Sequence, residues 1–199
     1  IRSIAGLAGL ETLDLYLTSV SDDGLVHLRH LKNLRQLDLP FGTTDRGLAH
    51  LIGLISLESI SNVGEGITDV GAASISRLKN LKELSLAWSY GSGRGAVITD
   101  NGIAHISKLR HLEFLWIDGA SITDDGLKHL SGLMRLRVLS LDGATISGAD
   151  LKHLQPLGSL RVLRLNATRV DDAGLRHLAR KVGLQHISLR GTAVSKHGK

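Results

Sequence analysis

Apolar residues along this chain recur with two periods, one short and one long. Leucine-type residues fall at L-x-x-L-x-x-L-x-L, and five residues later comes an Ile or Val. Ser, Thr or Asp follows, then one or two acids and Gly-Leu-x-x-Leu. Leu109 to Gly132 (LRHLEFLWIDGASITDDGLKHLSG) and Leu133 to Pro156 (LMRLRVLSLDGATISGADLKHLQP) carry the pattern in one register. It restarts at Leu7, Leu31, Leu54, Leu78 and Leu157 and, with Lys in place of the first Leu, at Lys181, a period of 24 residues. A unit of this size cannot bury its apolar face alone, so the repeats must stack into a solenoid.

The short periods predict the elements of each unit. Alternation in Phe114-Leu115-Trp116-Ile117-Asp118 predicts a strand with Leu115 and Ile117 in the core and Phe114, Trp116 and Asp118 on the other face. Gly119-Ala120-Ser121 predicts a turn, and Ile122 returns to the core. Thr123 is placed to cap a helix, with Asp124 and Asp125 in its first turn favourable to the dipole, a term of about 0.3–1 kcal/mol each. Leu127 and Leu130 form the inner side of that helix. Strand on one side and short helix on the other make a wedge. Stacked wedges curve, with parallel strands lining the concave face.

These residues resemble the leucine-rich-repeat family, and the resemblance runs through essentially the whole chain. The segment I-T-D-x-G-L-x-x-L is similar to the cysteine-containing class of F-box proteins, and closer still to cysteine-free relatives common in bacteria. The resemblance implies an α/β fold, a right-handed leucine-rich-repeat solenoid of about eight repeats as a single domain over 1–199. It implies no reaction, because the family is defined by its scaffold. In the turn, where the F-box type has Cys or Asn, this chain has Thr18, Ala120, Ala144, Thr168 and Thr192. A buried Asn ladder is therefore absent, and the turn backbone needs other partners, which Thr can supply and Ala cannot.

Composition narrows the picture further. With two Phe, two Trp and two Tyr in 199 residues, the core must be built from aliphatic side chains. Zero cysteines exclude disulfide-stapled caps and thiolate metal sites. A formal charge of +5, with ten histidines uncounted, permits an acidic partner without requiring one. No apolar run is long enough to cross a bilayer, so no membrane insertion is expected. Ile1 and Ile4 align with Leu127 and Leu130, helix positions of a repeat whose strand is missing, and Gly198–Lys199 falls where an eighth helix is due. The expectation is an array truncated at both ends, with end-to-end self-association through the cut repeats.

Departures from the repeat point to function. Repeat four is 31 residues long, with Trp88 to Ala96 inserted between strand and helix. Repeat three has Asn62 at a core position, and repeat two is one residue short near Gly42-Thr43. Insertions on one face of a repeat protein mark a binding face or neutral drift in a tolerant loop, and both readings fit. All six aromatics lie on strands or in the turns after them. Phe114 and Trp116 take outward positions, where exposed aromatics are typical interface anchors. Outward strand positions in the first six repeats carry acids only, and the last two carry Arg164, His186 and Arg190. A bound chain along this groove would meet opposite charge at its two ends.

The expected function is a non-enzymatic module that binds a protein or peptide through its concave face and adjoining loops. The expected contacts are Phe114, Trp116, Asp118 and Asp142, with Trp88, Tyr90 and Arg94 from the insertion beside them. A recognition arm of a larger enzyme, such as a ubiquitin ligase or bacterial effector, is the other reading. No catalytic group, metal or cofactor is expected. His27, His50, His105, His129, His153 and His177 share one helix position, yet helices packed about 8–10 Å apart bring them together only in pairs. Gly91-Ser-Gly-Arg-Gly95 lacks the Lys-Ser/Thr of a phosphate loop. Basic residues are dense from Arg161 to Lys181 without the aromatic interleaving of a nucleic-acid binder, so none is expected as a partner.

Overall fold

The structure, a computed structural model, describes residues 1–61, 66–86, 97–181 and 183–195. Eight three-residue strands pair in sequence order into one parallel sheet: β1 (Thr12–Asp14), β2 (Gln36–Asp38), β3 (Ser59–Ser61), β4 (Glu83–Ser85), β5 (Phe114–Trp116), β6 (Val138–Ser140), β7 (Val162–Arg164) and β8 (His186–Ser188). The register puts Leu84, Leu115, Leu139 and Leu163 side by side. Each is fully buried, as are Ile117 and Leu141 beyond the strands. The opposite side is covered by short helices, α1 (Asp22–Leu25), α2 (Asp45–Ala49), α3 (Asp69–Ile75), α4 (Asp100–Ile106), α5 (Asp124–Leu130) and α6 (Asp172–Arg176). Leu127 and Leu130 are buried on α5, and Ile122 is buried ahead of it. One aliphatic column thus runs the length of the sheet, and Ile1, Ile4, Leu184 and Leu189 pack partly against it.

Why the helices start where they do is visible in one side chain. The Thr123 hydroxyl accepts from the Asp125 N–H at 3.3 Å, which caps α5, and Thr44, Thr68 and Thr99 cap α2, α3 and α4 in the same way. That hydroxyl also donates. Thr123 Oγ1 gives its proton to Asp100 Oδ2 at 2.7 Å, and the Thr123 N–H goes to Asp100 Oδ1 at 2.9 Å. Asp100 begins the preceding helix, so its carboxylate staples one repeat to the next. The staple recurs from Asp22 to Thr44, Asp45 to Thr68, Asp69 to Thr99, Asp124 to Ser147 and Asp172 to Ser195. From Asp69 to Thr99 it closes across the long fourth repeat, with the same two bonds as elsewhere.

Two sequence details follow. The Gly two residues after the helix-starting Asp is needed in α2 to α5, because a Cβ at Gly47, Gly71, Gly102 or Gly126 would collide with the stapling carboxylate of the preceding repeat. Asp124 also does more than the dipole role expected of it. It accepts from Ser147 N–H at 3.0 Å, Ser147 Oγ at 2.6 Å and Gly148 N–H at 3.0 Å. The expectation of a mere dipole term is corrected to a three-bond link between repeats.

One joint lacks the staple. Repeat six has Gly148 where repeats one to five and seven have Asp, and repeat seven answers with Asp171 where the others have Thr or Ser. The two backbones come close, since a Cβ on either Gly148 or Gly174 would lie 2.9 Å from the other's Cα. Asp171 turns back to its own helix and accepts from Gly174 N–H at 2.9 Å. Repeat six has a 3-10 helix, Leu151–Leu154, where its neighbours have α5 and α6.

Candidate functional site

With backbone donors and acceptors of the inner strands consumed by the sheet, only outward side chains are available to a partner. Across β4 to β8 these form two rows. The first reads Glu83, Phe114, Val138, Val162 and His186, and the second Ser85, Trp116, Ser140, Arg164 and Ser188. Phe114 and Trp116 stack on each other with ring centroids 5.9 Å apart and planes 11° from parallel. Both are half-buried. Serines flank Trp116 on both neighbouring strands, so no bulky neighbour covers the indole along the row. The Arg137 guanidinium lies 5.9 Å from the Phe114 centroid, within cation–π reach. Phe114, Trp116, Val138 and Val162 therefore form a small apolar island on an otherwise polar face.

Below the island runs a ladder of polar side chains. Asp118 accepts from Ser140 Oγ and from the Asp142 N–H at 3.1 Å. Asp142 accepts from the Asn166 N–H at 2.7 Å and Asn166 Nδ2 at 3.0 Å. Asn166 Oδ1 in turn accepts from Ser188 Oγ and the Arg190 N–H. Sequence reading noticed the missing Asn ladder but not this one, which sits two residues earlier and is carried by Asp and Asn. In the turns proper, Thr18, Thr43, Thr168 and Thr192 hydroxyls donate to the carbonyl three residues back, and the Ala120 and Ala144 turns close through backbone bonds alone.

Electrostatics of the face follow from this ladder. Burial pushes the Asp118 carboxyl above its ordinary value and the charge of Asp142 adds to the rise, against a lowering hydrogen bond from Ser140. Burial, with Asp14 alongside, raises Asp38 similarly. Arg164 Nη2 meets Asp142 Oδ2 at 2.7 Å and its Nε does so at 3.0 Å. The acid-to-base change along the groove is thus bridged at its middle by an ion pair within the chain.

Of the expected contact residues, the structure brings Phe114, Trp116, Asp118 and Asp142 together over β5, β6 and the turns after them. Trp88, Tyr90 and Arg94 lie outside the described residues, as does Asn62. Among the described residues no three His, Asp or Glu side chains gather as a metal site. The histidine column stays on the helix side, where His50 Nε2 is buried with no hydrogen-bond partner among the described residues. No described helix is long and apolar enough to cross a membrane.

No family model matches the sequence, and no curated protein matches it. Solved structures do. Internalin C2 from Listeria monocytogenes superposes with a TM-score of 0.70 at 22% identity, over 94% of this chain and 83% of that one. The LRR ectodomain of the receptor kinase GASSHO1/SCHENGEN3 from Arabidopsis thaliana, in complex with Casparian strip integrity factor 2, gives 0.66 at 17% identity over 98% of this chain. The plant peptide hormone receptor RGFR1, in complex with RGF2, gives 0.58 at 14% identity over 97%. The chain folds as a leucine-rich-repeat solenoid. It spans 23% and 30% of the length of those two receptors, and at these identities the likeness establishes the leucine-rich-repeat fold alone.

Proposed function

We propose that this leucine-rich-repeat array is a non-enzymatic protein-interaction module that binds a protein or peptide through its concave strand face and adjoining loops. One observation carries the reading: the Phe114–Trp116 stack stands on the strand face, with serines on both strands beside the indole and the Arg137 guanidinium over the Phe114 ring. Large aromatics near the middle of an interface supply most of its affinity. Val138 and Val162 extend the apolar surface, and Trp88, Tyr90 and Arg94 of the insertion belong to the same proposed contact set. Asp118 and Asp142 form the rim, holding the following turns in place and offering their remaining acceptor capacity. The two plant receptors, solved with the ligands their names record, are structures of the same fold with a bound partner, which supports the reading by analogy.

The test is affinity capture of a partner followed by quantitative binding. Trp116→Ala should cost about 2 kcal/mol or more, while Arg176→Ala, exposed on α6, should change nothing. If the α6 substitution weakens binding and Trp116→Ala with loop deletion does not, the partner sits on the convex side.

A further inference from the structure

The residue directly after the second leucine of each repeat forms a column along one edge of the solenoid, at the start of the strands. Glu11, Arg35, Glu58, Lys82, Glu113 and Arg137 alternate in sign from repeat to repeat. Alternation makes neighbours into partners. Glu58 is bridged by both Arg35 and Lys82 at 2.7 Å, Arg35 reaches Glu11 at 3.9 Å, and Arg137 lies 3.6 Å from Glu113. In repeat seven the rule breaks. An acid is due, and Arg161 stands there. The Arg161 and Val162 N–H groups both bond the Arg137 carbonyl, so two arginines share adjacent rungs of the ladder.

The break opens onto a cleft of about 400 Å³ lined by Glu113, Arg135, Arg137, Ser159 and Arg161. A second cleft of about 390 Å³ lies alongside and also contains Arg135. The two are not equivalent. In the second, Glu58 holds Arg35 and Lys82 at hydrogen-bond distance. In the first, the one acid is 3.6 Å from one arginine. Among the described residues neither Arg135 nor Arg161 meets a carboxylate, and Arg161 spends Nη1 on the Gly158 and Leu160 carbonyls. Three guanidiniums against one carboxylate leave an excess of two positive charges. Burial and the charge of Arg161 hold nearby Lys181 below the usual lysine value, in keeping with a positive field here.

We propose that the Arg135–Arg137–Arg161 cleft binds the phosphate group of a phosphorylated peptide. A phosphate monoester carries about −1.5 to −2 charge near neutral pH, which matches the excess, and its three terminal oxygens suit planar guanidinium forks better than point charges. Ser159 supplies a hydroxyl on the same wall. Arg137 joins the cleft to the aromatic island, because its guanidinium also covers Phe114. A peptide lying on the island would place a phosphorylated side chain at the strand-start edge. The peptide carrier rests on the concave-face reading above; the anion site does not need it.

The test therefore uses no partner. Backbone amide NMR of the full chain is followed during titration with inorganic phosphate, and then with N-acetyl-phosphoserine amide, at constant ionic strength set by chloride. Saturable shifts confined to Arg135, Arg137, Ser159 and Arg161 are expected for both ligands. They should weaken at least tenfold in R135E and in R161E, with unchanged circular dichroism, and persist in R176E and W116A. Shifts that spread over the surface, that chloride or N-acetyl-serine amide reproduces, or that survive both charge reversals overturn the proposal. So does a single-stranded oligonucleotide whose binding R169E and R176E weaken as much as R161E, since the cation field would then serve a nucleic-acid backbone.

Discussion

The joint between repeats five and six and the joint between repeats six and seven share strand pairing, core leucines and a strand-side carboxylate, Asp118 at the first and Asp142 at the second, but only the first is also fastened at the helix side. At the first, Asp124 reaches over to Ser147 and Gly148 on the helix side. At the second, that link is gone, and the strand-side link is the more extended of the two, Asp142 taking Arg164 and Asn166 together. Both joints thus carry polar links beyond the apolar stack, and the helix-side link is absent where the strand-side one is extended by an ion pair. The repeat that gives up its stapling carboxylate, repeat six, is also the one whose helix is the 3-10 segment Leu151–Leu154.

A core truncation sets the scale against which both joints are read. Leu139→Ala removes a fully buried side chain in β6, which both joints share, and should cost about 2–5 kcal/mol in chemical denaturation. Next comes Asp124→Ala, which strands two backbone N–H groups and a hydroxyl. Bonds to a half-buried carboxylate make this about 1.5–3 kcal/mol. Asp171→Ala deletes a cap within one helix and should cost about 0.5–2 kcal/mol, below its counterpart. If Asp171→Ala proves the more damaging, the joint assignment is wrong.

Amide exchange sharpens the contrast without mutation. Backbone amides of α5 should be better protected than those of Leu151–Leu154, because local opening of the short helix breaks fewer bonds. Equal protection would mean that the missing staple has no dynamic consequence. The smallest effect concerns pH. Asp118 has a folded-state value above its unfolded one, so between the two the folded chain binds the extra proton. This group favours folding below that window and loses the contribution as pH rises through the folded value. Asp118→Asn should therefore flatten the fall in melting temperature as pH rises from about 4, and an unchanged profile would show that the carboxyl titrates normally.

Much of this was legible in the residues. Leu115, Ile117 and Ile122 could be placed inward because alternation and the turn leave no other register, and Thr123 announced a cap by its position before the acids. The staple was not legible from a single repeat, since Thr-Asp-x-Gly reads as a local helix start and its partner lies a full period away. A signal was nonetheless present: Gly148 and Asp171 depart from the pattern together, one giving up an acid as the other gains it. Asp118 and Asp142 could be placed on the outward face, but the bonds they make to Ser140, Arg164 and Asn166 depend on side-chain reach across strands. The sign alternation from Glu11 to Arg137, and its failure at Arg161, could have been read directly by aligning repeats on their leucines.

The staple also bears on how such an array can be rebuilt. Each stapled unit holds out a carboxylate to its successor and a hydroxyl to its predecessor, so any one fits after any other, and copying or deleting a whole unit leaves every link closed. Repeats six and seven are the exception. A copy of repeat five placed between them would aim Asp124's counterpart at the Asp171 carboxylate, two like charges where a hydroxyl should stand. That joint fixes an order in an otherwise interchangeable series, and makes it the one place where the array could not be lengthened without a compensating change.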